Sequence, residues 1–206
     1  MDTQAIHTIG VILAGGRGQR MGCCEKGLLP FRGTTLLDHA IERLTPQVDR
    51  LIINANRDLG AYRAFGLDVV SDRDPTITQG PLAGIEAAMA YTLRHYPNHP
   101  SWVLIAPCDS PFLPLDLANR LREAAIESGH SAAVAWDGVR IHPTFSLLHT
   151  RLQPSLTQAL IRGELKLGQW LQDIPAAWAD FSDQADAFIN FNTPEQLRGG
   201  DDQHGQ

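Results

Sequence analysis

The sequence predicts an open α/β sheet that is mostly parallel and is covered by helices on both faces, a three-layer αβα arrangement. Two observations carry this prediction. Apolar, strand-like runs alternate with helical patterns from one end of the 206 residues to the other. Several of the apolar runs are continuous rather than alternating, which is typical of strands buried on both faces of a parallel sheet. We expect right-handed crossovers between the parallel strands.

Seven segments have the composition of strands. In chain order they are Ile9–Ala14, Arg50–Asn54, Leu67–Ser71, Trp102–Pro107, Ala132–Trp136, Thr144–Leu148 and Ala177–Phe181. Ligands of open α/β sheets bind beyond the carboxyl ends of the strands, near the point where strand order reverses. The segments that follow Ala14, Ser71 and Pro107 are therefore the first places to look for a site.

Three helices are predicted between these strands, because apolar residues recur on one helical face. The three faces consist of Leu36, Leu37, Ala40, Ile41 and Leu44; of Ile85, Met89 and Leu93; and of Leu117, Leu121, Ala124 and Ala125. Pro81 and Pro114 stand where a first-turn proline would begin the second and third helices. We expect one domain over residues 1–198 and a polar, glycine-rich tail over 199–206.

The charge and the cysteine content exclude several classes of protein. With 17 Lys and Arg against 23 Asp and Glu the net charge is −6, whereas a nonspecific nucleic-acid binder needs a basic surface. The three cysteines, two of them adjacent at Cys23 and Cys24, do not form a disulfide framework. The apolar run Ile9–Ala14 is too short for a signal sequence or a membrane span. We expect a soluble cytoplasmic protein without nucleic-acid or membrane partners.

The loop after the first strand has the composition of a phosphate-binding site. It contains four glycines and three cations: Gly15, Gly16, Gly18, Gly22, Arg17, Arg20 and Lys26. Glycine lets backbone N–H groups approach an oxyanion because no Cβ stands in the way. The cations supply the positive charge that the acidic chain otherwise lacks. We interpret the loop as a phosphate cradle.

Two common phosphate motifs do not fit this loop. A Walker P-loop has Lys and then Ser or Thr directly after its last glycine, whereas Cys23 follows Gly22 here. A dinucleotide fingerprint that starts at Gly16 would need glycine at the sixth position, which is Met21. An ordinary glycine-rich turn is the other interpretation, and the presence of Arg20 and Lys26 favours the cradle over it.

Carboxylates follow two of the predicted strands. Asp109 comes just after Trp102–Pro107, at a strand end beside the cradle, where a carboxylate suits Mg²⁺ because this ion binds one or two carboxylates together with phosphate oxygens. Loop capping is the alternative role for Asp109. Asp72 follows the strand Leu67–Ser71, and Asp74, two residues further on, competes with it as the candidate carboxylate at this strand end. Either of these two can instead form a turn.

Asparagines and a glycine–proline segment complete the candidate site. Asn54 ends the second strand, and its amide can both donate to and accept from a purine or a ribose, or form a turn. The segment 80–84 opens a helix whose free N–H groups can face a base or a phosphate. Asn192 is placed to cap a helix that begins at Pro194. Capping alone would explain Asn192, whereas Asn190 is harder to explain structurally.

Taken together and in this order, the motifs resemble those of the molybdenum cofactor guanylyltransferases, nucleotidyltransferases with a Rossmann-like fold. The matching segments are Leu13-Ala14-Gly15-Gly16, Arg20-Met21-Gly22, Lys26-Gly27-Leu28-Leu29, Gly33, Ile53-Asn54-Ala55-Asn56-Arg57, Gly80-Pro81-Leu82-Ala83-Gly84, Pro107-Cys108-Asp109-Ser110-Pro111 and Phe188-Ile189-Asn190-Phe191-Asn192-Thr193-Pro194. The resemblance covers nearly the whole chain. It departs at Cys23 and Glu25, where the family commonly has glycine and aspartate.

The resemblance implies a reaction and a set of site residues. The reaction is transfer of GMP from GTP to the terminal phosphate of molybdenum-carrying molybdopterin, with release of pyrophosphate. Lys26, Arg20 and Asp109 are then catalytic, and Asp109 binds Mg²⁺. The implied nucleotide-binding residues are Leu13, Ala14, Gly15, Gly16, Lys26, Asn54, Asp72, Gly80, Pro81, Gly84 and Asp109, and those on the pterin side are Asn190 and Asn192. Transient contact with molybdoenzymes or cofactor chaperones is also implied.

Other functions share parts of this pattern. A cytidylyltransferase acting on the same pterin and a sugar-phosphate nucleotidyltransferase have the same glycine loop, and the choice of guanine rests on the family likeness of Gly15-Gly16 and of 80–84. A non-catalytic nucleotide-binding chaperone of the cofactor would be expected to lack the lysine or the metal carboxylate, whereas this chain has Lys26 and Asp109. His142 resembles a family position near the pterin, and Lys166 is a candidate phosphate contact. A packed strand histidine and a solvated helix lysine are the alternatives, and neither residue enters the catalytic set.

Overall fold

A seven-stranded sheet lies at the centre of the computed structural model, which describes residues 7–14, 25–74, 80–97, 101–191 and 196. The strands of the described chain are β1 (His7–Leu13), β2 (Pro30–Phe31), β3 (Thr34–Thr35), β4 (Arg50–Asn54), β5 (Asp68–Val70), β6 (Ser101–Pro107), β7 (Ala132–Trp136), β8 (Ile141–His149) and β9 (Ala177–Asp180). The large sheet has the order β5-β4-β1-β6-β8-β7-β9, and β2 and β3 form a small antiparallel pair.

Helices cover both faces of this sheet. The α-helices are α1 (Leu36–Leu44), α2 (Leu59–Arg63), α3 (Gly80–His95), α4 (Leu117–Ser128), α5 (Gln153–Ile161) and α6 (Leu167–Gln172). Short 3-10 helices span Lys26–Leu28, Thr45–Gln47, Thr150–Leu152 and Ser182–Phe188. In the described residues no helix combines the length and the apolar character that crossing a membrane requires. The tail predicted at 199–206 lies outside the described residues.

The sheet topology confirms the predicted fold class. Strand β1 pairs in parallel with both β4 and β6, and β5 and β9 also run parallel to their neighbours β4 and β7. Within the described sheet, β8 is antiparallel to both β6 and β7. The chain moves outward from β1 in opposite directions, to β4 and β5 on one side and to β6 on the other. The strand order therefore reverses at β1, which places the expected crevice at its carboxyl end.

The core lies on both faces of the sheet, as the continuous apolar runs predicted. Adjacent residues of β1 point to opposite faces: Ile12 packs in a cluster with Leu37 of α1 and Leu121 of α4, and Val11 packs with Ile85 of α3 and others of the second cluster. Burying one such aliphatic side chain stabilises the fold by about 1.5–3 kcal/mol. A strand that is apolar on both faces can only be accommodated between two helical layers.

Several element boundaries differ from the sequence prediction. β5 is shorter than Leu67–Ser71 and β8 is longer than Thr144–Leu148. Pro81 is the second residue of α3, as predicted. Pro114 was wrongly predicted to begin the next helix, because α4 begins at Leu117. The carbonyl of Pro114 instead accepts a hydrogen bond from the side chain of Gln47, at 2.9 Å, and this long-range contact holds the residues before α4 in a turn.

Candidate functional site

The carboxyl ends of three strands meet at one edge of the sheet. Leu13, at the end of β1, is in register with Asn54 at the end of β4 and with Pro107 at the end of β6. The backbone pairing continues past the strands, because Ala14 N–H donates to the Asn54 carbonyl at 2.8 Å and Cys108 N–H donates to the Leu13 carbonyl at 3.2 Å. Residues that follow these strands are therefore held close together.

Lys26 and Asp109 face each other at this edge. The Nζ atom of Lys26 lies 3.1 Å from Oδ2 of Asp109, although the two residues are 83 positions apart in the chain. Asp109 is 7% exposed, and the surrounding protein strengthens the attraction between the two charges relative to water. The structure thus brings together the predicted cation and the predicted metal carboxylate.

A glycine allows the turn that carries Lys26 to reach the end of β6. A Cβ atom on Gly27 would lie 3.3 Å from Cβ and 3.4 Å from Sγ of Cys108, closer than most side chains approach. Burial raises the pKa of the Cys108 thiol well above its ordinary value, and the neighbouring Asp109 carboxylate raises it further. Cys108 is therefore an uncharged packing residue.

Asp72 is held by two asparagines on the β4 side of β1. Its Oδ1 accepts from Nδ2 of Asn54 at 2.9 Å, and its Oδ2 accepts from Nδ2 of Asn56 at 2.8 Å. The side-chain oxygen of Asn56 in turn accepts from the backbone N–H of Asp72 at 2.9 Å. Between the two predicted candidates, Asp72 is the one bound to Asn54, while Asp74 lines a separate cavity of about 160 Å³ between α3 and α5.

The glycines of the 80–84 segment have steric reasons for being glycine. A Cβ on Gly84 would lie 2.2 Å from Oδ1 of Asn54, so α3 packs directly against that amide. Gly80 has φ +64°, and a Cβ there would lie 2.6 Å from the carbonyl oxygen of Leu165. Close packing thus brings the first turns of α3 to the same sheet edge as Asn54 and Asp72.

The predicted pterin-side residue Asn190 lies beside the Asp109 loop. Its Oδ1 accepts a hydrogen bond from the hydroxyl of Ser110 at 2.6 Å, and the next residue, Phe191, donates its N–H to the Asp109 carbonyl at 2.8 Å. Of the other predicted residues, Gly15, Gly16, Arg20 and Asn192 lie outside the described residues. Leu13 and Ala14 lead into the glycine loop from the end of β1.

Four residues outside the predicted set belong to this site: Asn56, Glu25, Arg57 and Tyr62. Asn56 and Arg57 occur in the segment that carried the resemblance, directly after Asn54, which was a usable signal. Glu25 was visible only as a departure from the family pattern. Its carboxylate lies 2.8 Å from Arg57 and accepts a hydrogen bond from the Tyr62 hydroxyl at 3.0 Å. Tyr62 gave no local signal, because it occupies an ordinary buried helix position.

His142 is a packed strand histidine in this structure. Its Nε2 lies 2.6 Å from Oδ2 of Asp137, and its ring stacks on Phe188 with centroids 4.6 Å apart. The backbone N–H of Arg140, followed by the side chain of His142, holds the pKa of the Asp137 carboxyl well below its ordinary value. Lys166, the other residue outside the catalytic set, stands at the start of α6.

The Asp109 carboxylate fits a magnesium ion whose coordination shell substrate phosphates and water would complete. Among the described residues no group of three or more His, Cys, Asp or Glu side chains is arranged to hold a metal ion alone. Mg²⁺ commonly uses one or two carboxylates and takes its other ligands from water and phosphate oxygens. Asp109 can supply one such carboxylate. It lies beside Lys26, whose positive charge would neutralise the same phosphates.

The chain matches a family model and named relatives over most of its length. A family model described as MobA-like NTP transferase domain matches residues 10–178. A molybdenum cofactor guanylyltransferase from Yersinia pestis (strain Pestoides F) is 45% identical over 197 aligned positions, and the match covers 93% of this chain and 96% of the relative. The residues matched by the family model include the second half of β1, all of β4 and β6, and the residues that follow these strands.

Solved structures show the same fold at lower identity. The molybdopterin-guanine dinucleotide biosynthesis protein A of Archaeoglobus fulgidus superimposes with a TM-score of 0.73 at 21% identity, covering 93% of this chain and 95% of that one. A nucleotidyl transferase from Methanothermobacter thermautotrophicus gives a TM-score of 0.71 at 20% identity, covering 95% and 96%. Sequence and fold agree, and the chain belongs to the MobA-like NTP transferase family.

Proposed function

We propose that this protein transfers GMP from GTP to the terminal phosphate of molybdopterin that carries molybdenum, giving the guanine dinucleotide form of the cofactor and pyrophosphate. The observation that carries the proposal is the contact of Lys26 with Asp109 at the carboxyl ends of β1 and β6. The 45% identity to a molybdenum cofactor guanylyltransferase over nearly the whole chain supports the choice of substrates.

The proposed reaction needs no general base. An oxygen of the pterin phosphate forms a bond to the α-phosphorus of GTP, and the bond from that phosphorus to the bridging oxygen of pyrophosphate breaks. A phosphomonoester already carries about −1.5 to −2 charge at pH 7, so the attacking oxygen is an oxyanion before it reacts. The barrier comes from repulsion between two anions and from charge that develops on pyrophosphate. Positioning and neutralisation of charge are therefore the tasks of the protein.

Lys26 and Asp109 perform complementary tasks in this scheme. In the free protein each compensates the charge of the other at 3.1 Å. Lys26 can turn its ammonium group toward the phosphates, where a donor aimed at developing charge is most effective. Asp109 would hold Mg²⁺, which supplies further positive charge beside the phosphates. Arg20 is proposed to assist Lys26 from the glycine loop.

The Asp72 cluster supports a nucleotide-binding role on the other side of β1. The amides of Asn54 and Asn56 fix both oxygens of the Asp72 carboxylate. Each carboxylate oxygen can accept more than one hydrogen bond, so Asp72 can still accept from a ribose hydroxyl or from the N–H groups of guanine. The first turns of α3, which contact Asn54 through Gly84, would lie next to the same nucleotide.

The remaining assignments are proposals of the same kind. Asn190 is proposed to lie on the pterin side, because Ser110 holds it beside the Asp109 loop. A cytoplasmic location is inferred from the cofactor-synthesis role and from cysteine usage without a disulfide framework. Delivery of the product by transient contact with molybdoenzymes or cofactor chaperones follows from the same role.

A nucleotide panel tests the proposed function. Purified protein is mixed with Mg²⁺, molybdenum-loaded molybdopterin and GTP, CTP or ATP in turn, and pyrophosphate release is followed. We expect release with GTP at a rate well above that with CTP or ATP. Faster release with CTP would indicate a cytidylyltransferase. Nucleotide binding without release from any of the three would indicate a non-catalytic chaperone, and either result would overturn the proposal.

A further inference from the structure

The residue that precedes Lys26 is a buried acid with two side-chain partners. The side chain of Glu25 is only 4% exposed, yet it lies at the sheet edge and not in an apolar core. Its Oε1 is 2.8 Å from Arg57 and its Oε2 is 3.0 Å from the Tyr62 hydroxyl. A buried carboxylate is tolerated when donors satisfy it in this way. Both oxygens are engaged, so Glu25 has one fixed orientation.

The same tyrosine lies at both ends of the glycine loop. The Tyr62 hydroxyl donates to Glu25 and its oxygen also lies 3.5 Å from the carbonyl oxygen of Ala14. Ala14 and Glu25 are the residues that flank positions 15–24, which carry the glycines and Arg20. Tyr62 is fully buried in α2. A rigid helix position therefore contacts the point where the loop begins and the point where it ends.

Lys26 is consequently held from two directions. On one side Glu25 is fixed by Arg57 and Tyr62, and its carbonyl accepts from the N–H of Leu28 at 3.1 Å to close the turn. On the other side Gly27 packs against Cys108 at the end of β6. Little freedom remains for the backbone of Lys26 between these contacts, and its side chain points toward Asp109.

The pairing of Glu25 with Arg57 also affects the electrostatic environment of Lys26. An unpaired Glu25 carboxylate next to Lys26 would compete with Asp109, and with any incoming phosphate, for the ammonium group. Arg57 compensates the charge of Glu25 at 2.8 Å, so the Glu25 carboxylate does not compete with Asp109 for the ammonium group of Lys26. Neither the phosphate chemistry nor the metal requires Glu25 directly.

We propose that Glu25, Arg57 and Tyr62, which we name the loop clamp, position Lys26 for the transfer step by fixing Glu25 relative to Ala14, the residue that follows β1. None of the three need touch substrate, and they act through Lys26. The kinetic part of this inference rests on the proposed function. The contacts themselves do not, and they are testable without substrate.

The kinetic test compares Tyr62→Phe, Glu25→Gln and Glu25→Asp with the unmodified protein, with kcat and the KM for GTP measured separately by pyrophosphate release. Tyr91→Phe is the matched control, because Tyr91 also donates to a carboxylate, that of Asp68 at 2.5 Å, but at the opposite end of β5. A small displacement of a catalytic group mainly weakens its stabilisation of the transition state, so kcat falls while KM changes little.

We expect Tyr62→Phe and Glu25→Gln each to lower kcat by about 10-fold or more, with little change in KM, by analogy with groups that orient a ligand from one shell away. Glu25→Asp should retain more activity than Glu25→Gln, although Gln is closer in shape, because charge and not volume engages Arg57. The double variant with Tyr62→Phe and Glu25→Gln should have a kcat no lower than that of the slower single variant, because the two residues act as a unit. Unchanged kcat in both single variants, or a change confined to KM, would overturn the proposal.

Amide hydrogen exchange separates this inference from the proposed function. Exchange at Gly27, Leu28 and Leu29 should be faster in Tyr62→Phe than in the unmodified protein and unchanged in Tyr91→Phe. If the unmodified protein released no pyrophosphate, the proposed function would fail, and exchange alone would decide the clamp. If exchange at these residues were the same in all variants, the clamp would be refuted whatever the enzyme assay showed. Thermal melting of each variant establishes that the comparison is made on folded protein.

Discussion

Two acid–base pairs occupy different regions of this molecule, and they differ in what holds them. Lys26 and Asp109 meet across 83 residues at 3.1 Å where parallel strands end, whereas His142 and Asp137 meet across five residues at 2.6 Å in the β7–β8 hairpin. Asp137 also accepts from the backbone N–H groups of Val139 and Arg140, both at 2.8 Å. All of these partners of Asp137 belong to the same hairpin, so the His142–Asp137 pair stabilises the hairpin.

The Lys26–Asp109 pair joins two distant segments of the chain, and its place at the reversal of strand order is the place where ligands bind in this class of sheet. The ammonium group sits on a flexible side chain that an anion can attract, while the ring of the hairpin histidine is stacked on Phe188. The candidate catalytic pair differs from the structural pair in its location and in the ability of its lysine to exchange the carboxylate for another anion. The distance between the paired groups does not distinguish them.

The largest expected effect follows from metal removal. Excess chelator should reduce pyrophosphate release to background, because the phosphate charge would then be left without the cation that Asp109 is proposed to hold. Release should return when Mg²⁺ is added back in excess. The measurement is the rate of release before and after each addition. Activity that persists in chelator would remove the metal from the mechanism and leave Asp109 as a partner of Lys26 alone.

Substitution of the two pairs should separate them next. Lys26→Ala and Asp109→Ala should each lower turnover by about 10²–10³-fold, the usual cost of deleting a donor or charge aimed at the transition state. His142→Gln, which removes the ring from the hairpin pair, should keep most of its turnover. Steady-state rates and circular dichroism of the three variants provide the measurement. Equal losses in all three would contradict the distinction drawn between the pairs.

A glycine substitution tests the nucleotide side of the edge. Gly84→Ala places a methyl group 2.2 Å from Oδ1 of Asn54, so the amide that fixes Asp72 must move. We expect the affinity for GTP to fall by about 10-fold, since one misplaced polar contact costs on the order of 1.4 kcal/mol. Calorimetric titration with GTP measures it.

Gly60→Ala is the matched control for that substitution, because nothing lies within 4 Å of a Cβ on Gly60 in α2. It should bind GTP like the unmodified protein and gain roughly 0.4–1 kcal/mol of stability, since alanine restricts the unfolded chain. If both variants bound GTP normally, the contact of α3 with Asn54 would have no part in nucleotide binding.

The smallest expected effect concerns stability in acid. The pKa of Asp137 is lowered by the Arg140 N–H and by His142, so its ionised form is favoured in the folded protein. The resulting stability is present above the unfolded pKa of about 3.9 and is lost as the pH falls below it toward the folded value. Asp137→Asn should therefore be less stable than the unmodified protein at pH 7, and the gap should narrow below about pH 4. Melting curves across pH measure this gap, and a gap that widens in acid would contradict the assignment.

The fold was predictable because its signals are local. Continuous apolar runs such as Trp102–Pro107 can only be buried between two layers, and the order of strands and helices then fixes a parallel sheet. Asp72 and Asp109 were predicted to lie together for the same reason, since each follows a strand whose carboxyl end must lie at the common edge, whereas Lys26 was predicted from the glycines and cations of the loop after β1. The beginning of α4 was misplaced because Gln47 binds the carbonyl of Pro114 from 67 residues away, and no local pattern reports that contact.

Within the site, sequence reasoning failed where partners are set by packing. Glu25 and Tyr62 are 37 residues apart, and a tyrosine in a short helix looks the same whether its hydroxyl binds a carboxylate or water. Asn54 was interpreted as a direct nucleotide contact, and the structure shows its amide committed to Asp72 and to the carbonyl of Val70, at 3.1 Å. Whether it also touches nucleotide stays a prediction. Only the fold decides how an amide divides its hydrogen bonds.

The reversal of strand order at β1 has a consequence for how such an enzyme can change. The Lys26–Asp109 pair lies on the β6 side of β1, and the Asn54–Asp72 cluster with the start of α3 lies on the β4 side. Under the proposed function, evolution or engineering can remodel the pocket for one base into a pocket for another while the machinery for group transfer stays in place. The two sides of β1 can then vary independently. A new nucleotide preference would need substitutions on the β4 side alone.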